Sequence, residues 1–397
     1  MRNYLMLLLI FLTIISCSKE EPTGPGEIEP GPTELLERLQ ALPGIEVIEI
    51  TPEYFYTRAF QIDITQPLDH NSSAGQTFTQ RVYLSHIDES APMVFAPSGY
   101  SVSTRSFQEI ADILQSNLVT VTHRFMEGAE PQSMEWQYLT VEQAAADHHR
   151  IVEMLQNIYS GAWISSGASK SGLTALYHRR FYPDDVQATI ALAAPIMFST
   201  TDSRFEYYLK EIAGDETCRN KIIQFQKSIL ENKLSILPLV ISHLDAMGLG
   251  YSLGEEMILE FAVLEYPFYF WSVGPGDCNV IPDTSAPASV LLSHLLEIIS
   301  LYEYTEAGNN YFRPVYYQLF TEIGYYGLIT DHLHDLLEAV TNPTHKTFAP
   351  NHNSITYKPE VMQDINNWLQ TSGNNIIYIY GSQDSWTAAA IELTGGT

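Results

Sequence analysis

Trp163-Ile164-Ser165-Ser166-Gly167-Ala168-Ser169-Lys170-Ser171-Gly172 runs from strand-forming residues into a cluster of small ones, and helical spacing then continues to Arg180. Strand, tight turn and helix in that order place Ser169 where the nucleophile elbow of a Gly-x-Ser-x-Gly hydrolase would sit. The turn is so sharp that the residues two before and two after the serine must be small, and Gly167 and Ser171 are. Ser171 replaces the usual second glycine, and Gly172 follows one step later. A helix starting near Lys170 aims its dipole and free N–H groups at a developing oxyanion, so the Lys170 N–H is one expected donor. The second is expected from the loop Ser98-Gly99-Tyr100 after an earlier strand, with Tyr100 favoured. A serine–lysine mechanism is set aside, because neighbours on this turn point apart and position 167 is not a serine.

Outward from the elbow the same grammar repeats. Pro92–Ala96 and Leu118–Thr122 read as buried strands, and Phe107, Ile110, Ala111 and Leu114 give helical spacing between them. Val141 to Ile158 repeats as a helix face, and Ala188–Ala194 is another strand. Thr77–Leu84 reads as a strand near the sheet edge. This alternation predicts an α/β fold with a mostly parallel, doubly covered sheet. From about Ser203 to Asn342 the pattern becomes helical and rich in Leu, Ile, Tyr and Phe. Lys358–Leu369 is then helical, and Asn375–Tyr380 returns to strand. A helical insertion inside a resumed sheet describes an α/β-hydrolase core, residues 46–200 and 351–397, with a lid domain at 201–350. Tyr266 to Trp271 is unusually aromatic, and two readings stay open: the core of the insertion, or a wall facing substrate.

Asp384 lies in Tyr380-Gly381-Ser382-Gln383-Asp384-Ser385-Trp386, directly after the last strand, where this fold carries the acid of a catalytic triad. The order nucleophile, acid, histidine then requires a later histidine, yet all twelve, from His70 to His352, precede Asp384. The expectation is that residues 1–397 are part of a longer hydrolase. Steady turnover by residues 1–397 alone would defeat it.

Arg2, the apolar run Tyr4–Ile15 and the exit Ile14-Ile15-Ser16-Cys17 read as a signal peptide over residues 1–17 ending in a lipobox-like Cys17, the lipidation site. Residues 18–45 open with Ser18-Lys19-Glu20-Glu21 and a Pro/Gly/Glu stretch, a flexible tether. Together they predict a cell-envelope, outer-membrane lipoprotein, surface display being open, whose membrane contact is the lipid alone. Acidic residues outnumber basic ones 47 to 20, and a formal charge of −27 argues against nucleic-acid partners. Cys218 and Cys278 are then an even pair in an oxidising compartment, expected to form a disulfide closing a loop of about 60 residues. Without matched histidine spacing they do not suggest zinc, and no cofactor is expected.

Gln66-Pro67-Leu68-Asp69-His70, Thr77-Phe78-Thr79-Gln80-Arg81, Thr122-His123-Arg124-Phe125, Gly167-Ala168-Ser169-Lys170 and His178-Arg179-Arg180-Phe181-Tyr182-Pro183-Asp184-Asp185 occur in this order. In these motifs the chain resembles the secreted bacterial tripeptidyl-aminopeptidase family, serine peptidases related to lysosomal prolyl carboxypeptidase. The resemblance runs from about Thr51 to Thr397, and Cys218 and Cys278 fall where that family's lid carries cysteines. It implies a serine exopeptidase that releases short peptides from free N-termini, with Ser169 as nucleophile and Asp384 as acid. An exopeptidase needs a carboxylate for the substrate ammonium. Glu127 and Glu130, after the Leu118–Thr122 strand, are the candidates. His86, His123, His148, His149 and His178 read as structural. An esterase or lipase on the same fold, and a surface binding lipoprotein without catalysis, are the competing functions.

Overall fold

The computed structural model describes residues 32–72, 74–104 and 108–395. The signal peptide, Cys17 and the tether up to residue 31 lie outside them. Eight strands form one sheet: β1 (Ile45–Ile50), β2 (Arg58–Pro67), β3 (Thr77–His86), β4 (Met93–Pro97), β5 (Asn117–Val121), β6 (Trp163–Ala168), β7 (Ala188–Leu192) and β8 (Ile376–Ile379). Their order is β1-β2-β3-β5-β4-β6-β7-β8. The β1–β2, β2–β3 and β3–β5 pairs are antiparallel, and the pairs from β5 through β8 are parallel. β4 and β5 are buried at every position, as apolar runs covered on both faces must be. β3 alternates buried and accessible residues, the signature of a strand covered on one face.

Two expectations need correction here. The tether does not reach residue 45: α1 (Pro32–Gln40) is helical and buries Leu35 and Leu39 against Phe60, Ile62 and Val152. Its two leucines, four apart, lie on one helical face, and the charged residues around them gave the segment its tether-like composition. β3 is not near the edge, because β1 and β2 pair outside it. Glu46 and Glu49 in Ile45-Glu46-Val47-Ile48-Glu49-Ile50 suit an edge strand, where charge discourages further pairing.

The parallel strands are linked by α2 (Glu109–Leu114), α3 (Val141–Leu155) and α4 (Lys170–Phe181). A buried ion pair ties α3 to the sheet: the Arg124 guanidinium donates to both oxygens of Asp147 at 2.7 and 2.8 Å, and to the carbonyls of Leu68 and Tyr138. The His70 ring joins the same carboxylate at 2.7 Å. Burial alone would raise Asp147, but the Arg124 charge and these hydrogen bonds hold it below the usual carboxylate range. Two of the motifs that carried the resemblance therefore meet at a structural clamp. At the end of α4, His178 and His149 bond Asp185, which makes that motif structural too.

Between β7 and β8 the chain leaves the sheet for a helical layer: α5 (Ser203–Tyr207), α6 (Glu216–Glu231), α7 (Lys233–Met247), α8 (Glu255–Ser272), α9 (Ala288–Ile298) and α10 (Glu306–Gln318). A disulfide joins Cys218 in α6 to Cys278 beyond α8 across a separation of 60 residues, with the Cα atoms 5.4 Å apart. Closing a loop of that length contributes about 4 kcal/mol on the chain-entropy estimate. α11 (Pro359–Thr371) then leads back to β8. The aromatic run divides along α8: Tyr266, Phe268 and Phe270 are buried in the core, whereas Tyr269 faces a cavity over the sheet.

Candidate active site

The site lies at the carboxyl ends of β6, β7 and β8, where ligands of open α/β sheets are placed. The Ser169 N–H donates to the Leu192 carbonyl at 2.8 Å, and the Ala193 N–H donates to Ile379 at 2.7 Å, which joins the three strand ends. Ser169 has φ 56° and ψ −130°, a backbone state that costs a non-glycine residue on the order of 1–3 kcal/mol. Packing around it enforces that state. A Cβ on Gly167 would lie 2.4 Å from the Ser171 carbonyl oxygen, and one on Gly172 would lie 2.8 Å from the Gly167 oxygen. Gly172 thus answers the steric need that the usual pattern meets one residue earlier.

Ser171 has work of its own. Its hydroxyl accepts the Gly99 N–H at 3.0 Å, fastening the loop after β4 to the elbow. The Lys170 amine donates to the Gly99 carbonyl at 2.8 Å and lies 5.7 Å from the centre of the Tyr100 ring. Burial lowers this amine to about 7. Lys170 therefore braces the loop with its side chain, while its N–H belongs to the unpaired first turn of α4.

The second oxyanion donor needs a correction. The Tyr100 N–H donates to Ser98 Oγ at 2.9 Å, so the backbone of this loop is already engaged. The Tyr100 hydroxyl instead reaches Ser169. Burial lifts this phenol well above its ordinary value, so it remains protonated and able to donate. At Tyr100 it is thus the side chain, and not the main chain, that is turned toward the serine and the cavity.

Ser169, Lys170 and Tyr100 open onto a cavity of about 230 Å3, walled by lid residues including Tyr269, Phe312, Tyr316 and Tyr325 and by Trp386. Among the described residues lining it, Glu303 is the only carboxylate and Lys170 the only amine. Burial raises Glu303 to about 7; the nearby Glu265 adds to the rise, while His345 and a hydrogen bond from Tyr316 oppose it. Glu127 and Glu130 are exposed and do not line the cavity. Nothing in the sequence separated Glu303 from other acids, except that it stands alone between tyrosines in Leu301-Tyr302-Glu303-Tyr304.

Asp384 sits in the turn after β8, two residues before the cavity-lining Trp386. One of its oxygens accepts the Trp386 N–H at 3.0 Å. Burial raises its carboxyl, with that hydrogen bond opposing. Among the described residues no histidine lines the cavity. His86 bonds Tyr159, His123 bonds Tyr177, and His148 packs edge-on against Phe95. No group of three or more His, Cys, Asp or Glu side chains among the described residues is arranged to hold a metal ion.

The model of the PS-10 peptidase S37 family matches residues 28–397. A prolyl tri/tetrapeptidyl aminopeptidase of Streptomyces mobaraensis is 30% identical over 368 residues, covering 91% of this chain and 77% of that protein. Among solved structures, acetyl xylan esterase 1 from Thermoanaerobacterium sp. JW/SL YS485 aligns over 44% of this chain and 61% of its own, at 12% identity and TM-score 0.30. An aminopeptidase from a marine sediment Thaumarchaeota archaeon aligns over 41% and 32%, at 13% identity and TM-score 0.28. Likenesses this slight carry no weight beside the topology.

Proposed function

The chain belongs to the PS-10 peptidase S37 family, and from that premise we propose that it is a serine exopeptidase releasing short, tripeptide-like fragments from free N-termini. The observation that carries this reading is the position of Ser169, held at a strained elbow beneath a lid-roofed aromatic cavity. Ser169 Oγ attacks the scissile carbonyl and loses its proton to a base. The carbonyl oxygen becomes an oxyanion facing the Lys170 N–H and the Tyr100 hydroxyl. Collapse breaks the C–N bond, the leaving amine takes the proton, and an acyl-enzyme remains. Water then attacks that ester and releases the short peptide and free Ser169. The base is assigned to a histidine by the resemblance, with Asp384 orienting its ring.

Substrate profiling of the full-length protein tests the reaction class. Tripeptidyl anilides with free N-termini should be cleaved with release of the free aniline, and acetyl or short-chain esters should be poorer substrates. Efficient turnover of simple esters with no peptide cleavage would return the protein to the esterase reading.

We also propose that the protein is an outer-membrane lipoprotein anchored through Cys17. The support is the basic start, short apolar run and lipobox-like exit. No helix among the described residues is long and apolar enough to cross a membrane. Radiolabelled palmitate should enter the wild-type protein and not Cys17→Ala; equal incorporation in both would end this proposal.

A further inference from the structure

We propose that Glu303 is the specificity-determining residue that receives the α-ammonium of the substrate's first residue, an inference that rests on the exopeptidase reading above. A cation entering a largely apolar, closed-in cavity has to be neutralised there or remain outside. Among the described lining residues Glu303 offers the only negative charge. The only amine, Lys170, is fixed to the Gly99 carbonyl beside the nucleophile. The cavity thus offers Ser169 from the sheet and Glu303 from the lid.

A second carboxylate stands behind Glu303, and it is already committed. Glu265 of α8 accepts the Tyr326 hydroxyl at 2.6 Å and pairs with the His345 ring. Glu303 has the Tyr316 hydroxyl as a hydrogen-bond partner and still faces the cavity. Its position is set on both sides. Leu301 and Tyr304 of the same short turn are buried, and Thr305 caps the first turn of α10 through the Gly308 N–H. A carboxylate held in this way can act on a ligand without first being ordered.

The groups facing it define its behaviour with pH. They are Glu265 and Tyr269 from α8, Tyr304 from its own turn, Tyr316 from α10, His345 from the turn before α11, Tyr325 after α10, and Tyr100 from the loop after β4. Burial keeps all five of these phenols protonated well above neutrality. Glu303, raised to about 7, is neutral in the empty cavity on the acid side of that value. A peptide ammonium, with a pKa of about 8, is still charged there. Binding a free N-terminus below neutrality must therefore expel the Glu303 proton, and affinity falls as the pH is lowered. An N-acetylated peptide has no such requirement.

The experiment compares kcat/KM of the full-length protein for a tripeptidyl p-nitroanilide and its N-acetyl analogue. Glu303→Gln should lower the free-to-acetylated ratio on the order of 100-fold, mainly through KM, which is the loss of one buried charge-assisted hydrogen bond. Glu303→Asp should recover part of the ratio, and Glu127→Gln and Glu130→Gln should leave it unchanged. An unchanged ratio in Glu303→Gln overturns the assignment. Should the variant fail to fold, the wild-type protein decides: KM for the free peptide must rise below pH 7 while that for the acetylated peptide stays flat, and parallel profiles overturn the assignment. Wild-type protein that cleaves both peptides equally loses the anchor and keeps the peptidase reading. Protein that cleaves neither loses the exopeptidase reading and the anchor with it.

Discussion

Ser169→Ala in the full-length protein should lower kcat/KM toward tripeptidyl anilides by about 10⁴- to 10⁶-fold, with the fold unchanged. The size follows from what is removed. Without Oγ no acyl-enzyme can form, and only binding and the oxyanion donors remain to act on water. Little else is lost, since Ser169 is held through its main chain, by its N–H to Leu192 and by its carbonyl, which accepts from Leu173 at 3.0 Å. Alanine tolerates φ 56° no worse than serine does, so thermal unfolding should stay close to that of the wild type. A fluorophosphonate probe should label the wild-type protein and not the variant. Variant turnover within about tenfold of wild type would place the nucleophile elsewhere and undo the mechanism.

The elbow was legible because its geometry is local. Gly167, Ser171 and Gly172 are small for steric reasons confined to six residues, and a strand and a helix flank them in sequence. The placement of Asp384 was legible for a related reason, as parallel strands put the loops that follow them at one end of the sheet. Glu303 was not, because its surroundings depend on how the lid folds over the sheet. Its partners Glu265, Tyr316 and His345 lie 13 to 42 positions away. Glu127 and Glu130 were attractive only because they follow β5 in sequence, and the chain beyond β5 turns them outward. The same limit explains the first two strands. Glu46 and Glu49 interrupt the apolar pattern of β1, and its strand character rests on antiparallel pairing with β2. Buried polar motifs were legible as a family pattern, yet their work is structural: Arg124 with Asp147 and His178 with Asp185 lock helices onto the sheet.

Tyr100→Phe should lower kcat by about 10²- to 10³-fold and move KM by no more than a few-fold. The substitution removes one hydroxyl and keeps the ring that packs beside Lys170. The loop itself is held by backbone groups and by Ser98, Lys170 and Ser171, none of which the substitution touches. The two main-chain N–H groups that could replace the phenol are engaged: Gly99 donates to Ser171 Oγ and Tyr100 to Ser98 Oγ. The oxyanion would then face the Lys170 N–H alone. Because the charge on that oxygen develops only as Ser169 bonds to the carbonyl carbon, the loss belongs to the transition state and appears in kcat. A purely structural role for the hydroxyl would lower thermal stability and leave the ratio of kcat to KM effects unsplit. A kcat within about threefold of wild type would mean that the second donor is a main-chain N–H released from its present partner when substrate binds. In that case Ser98→Ala or Ser171→Gly, each of which frees one such N–H, would change the rate where Tyr100→Phe does not.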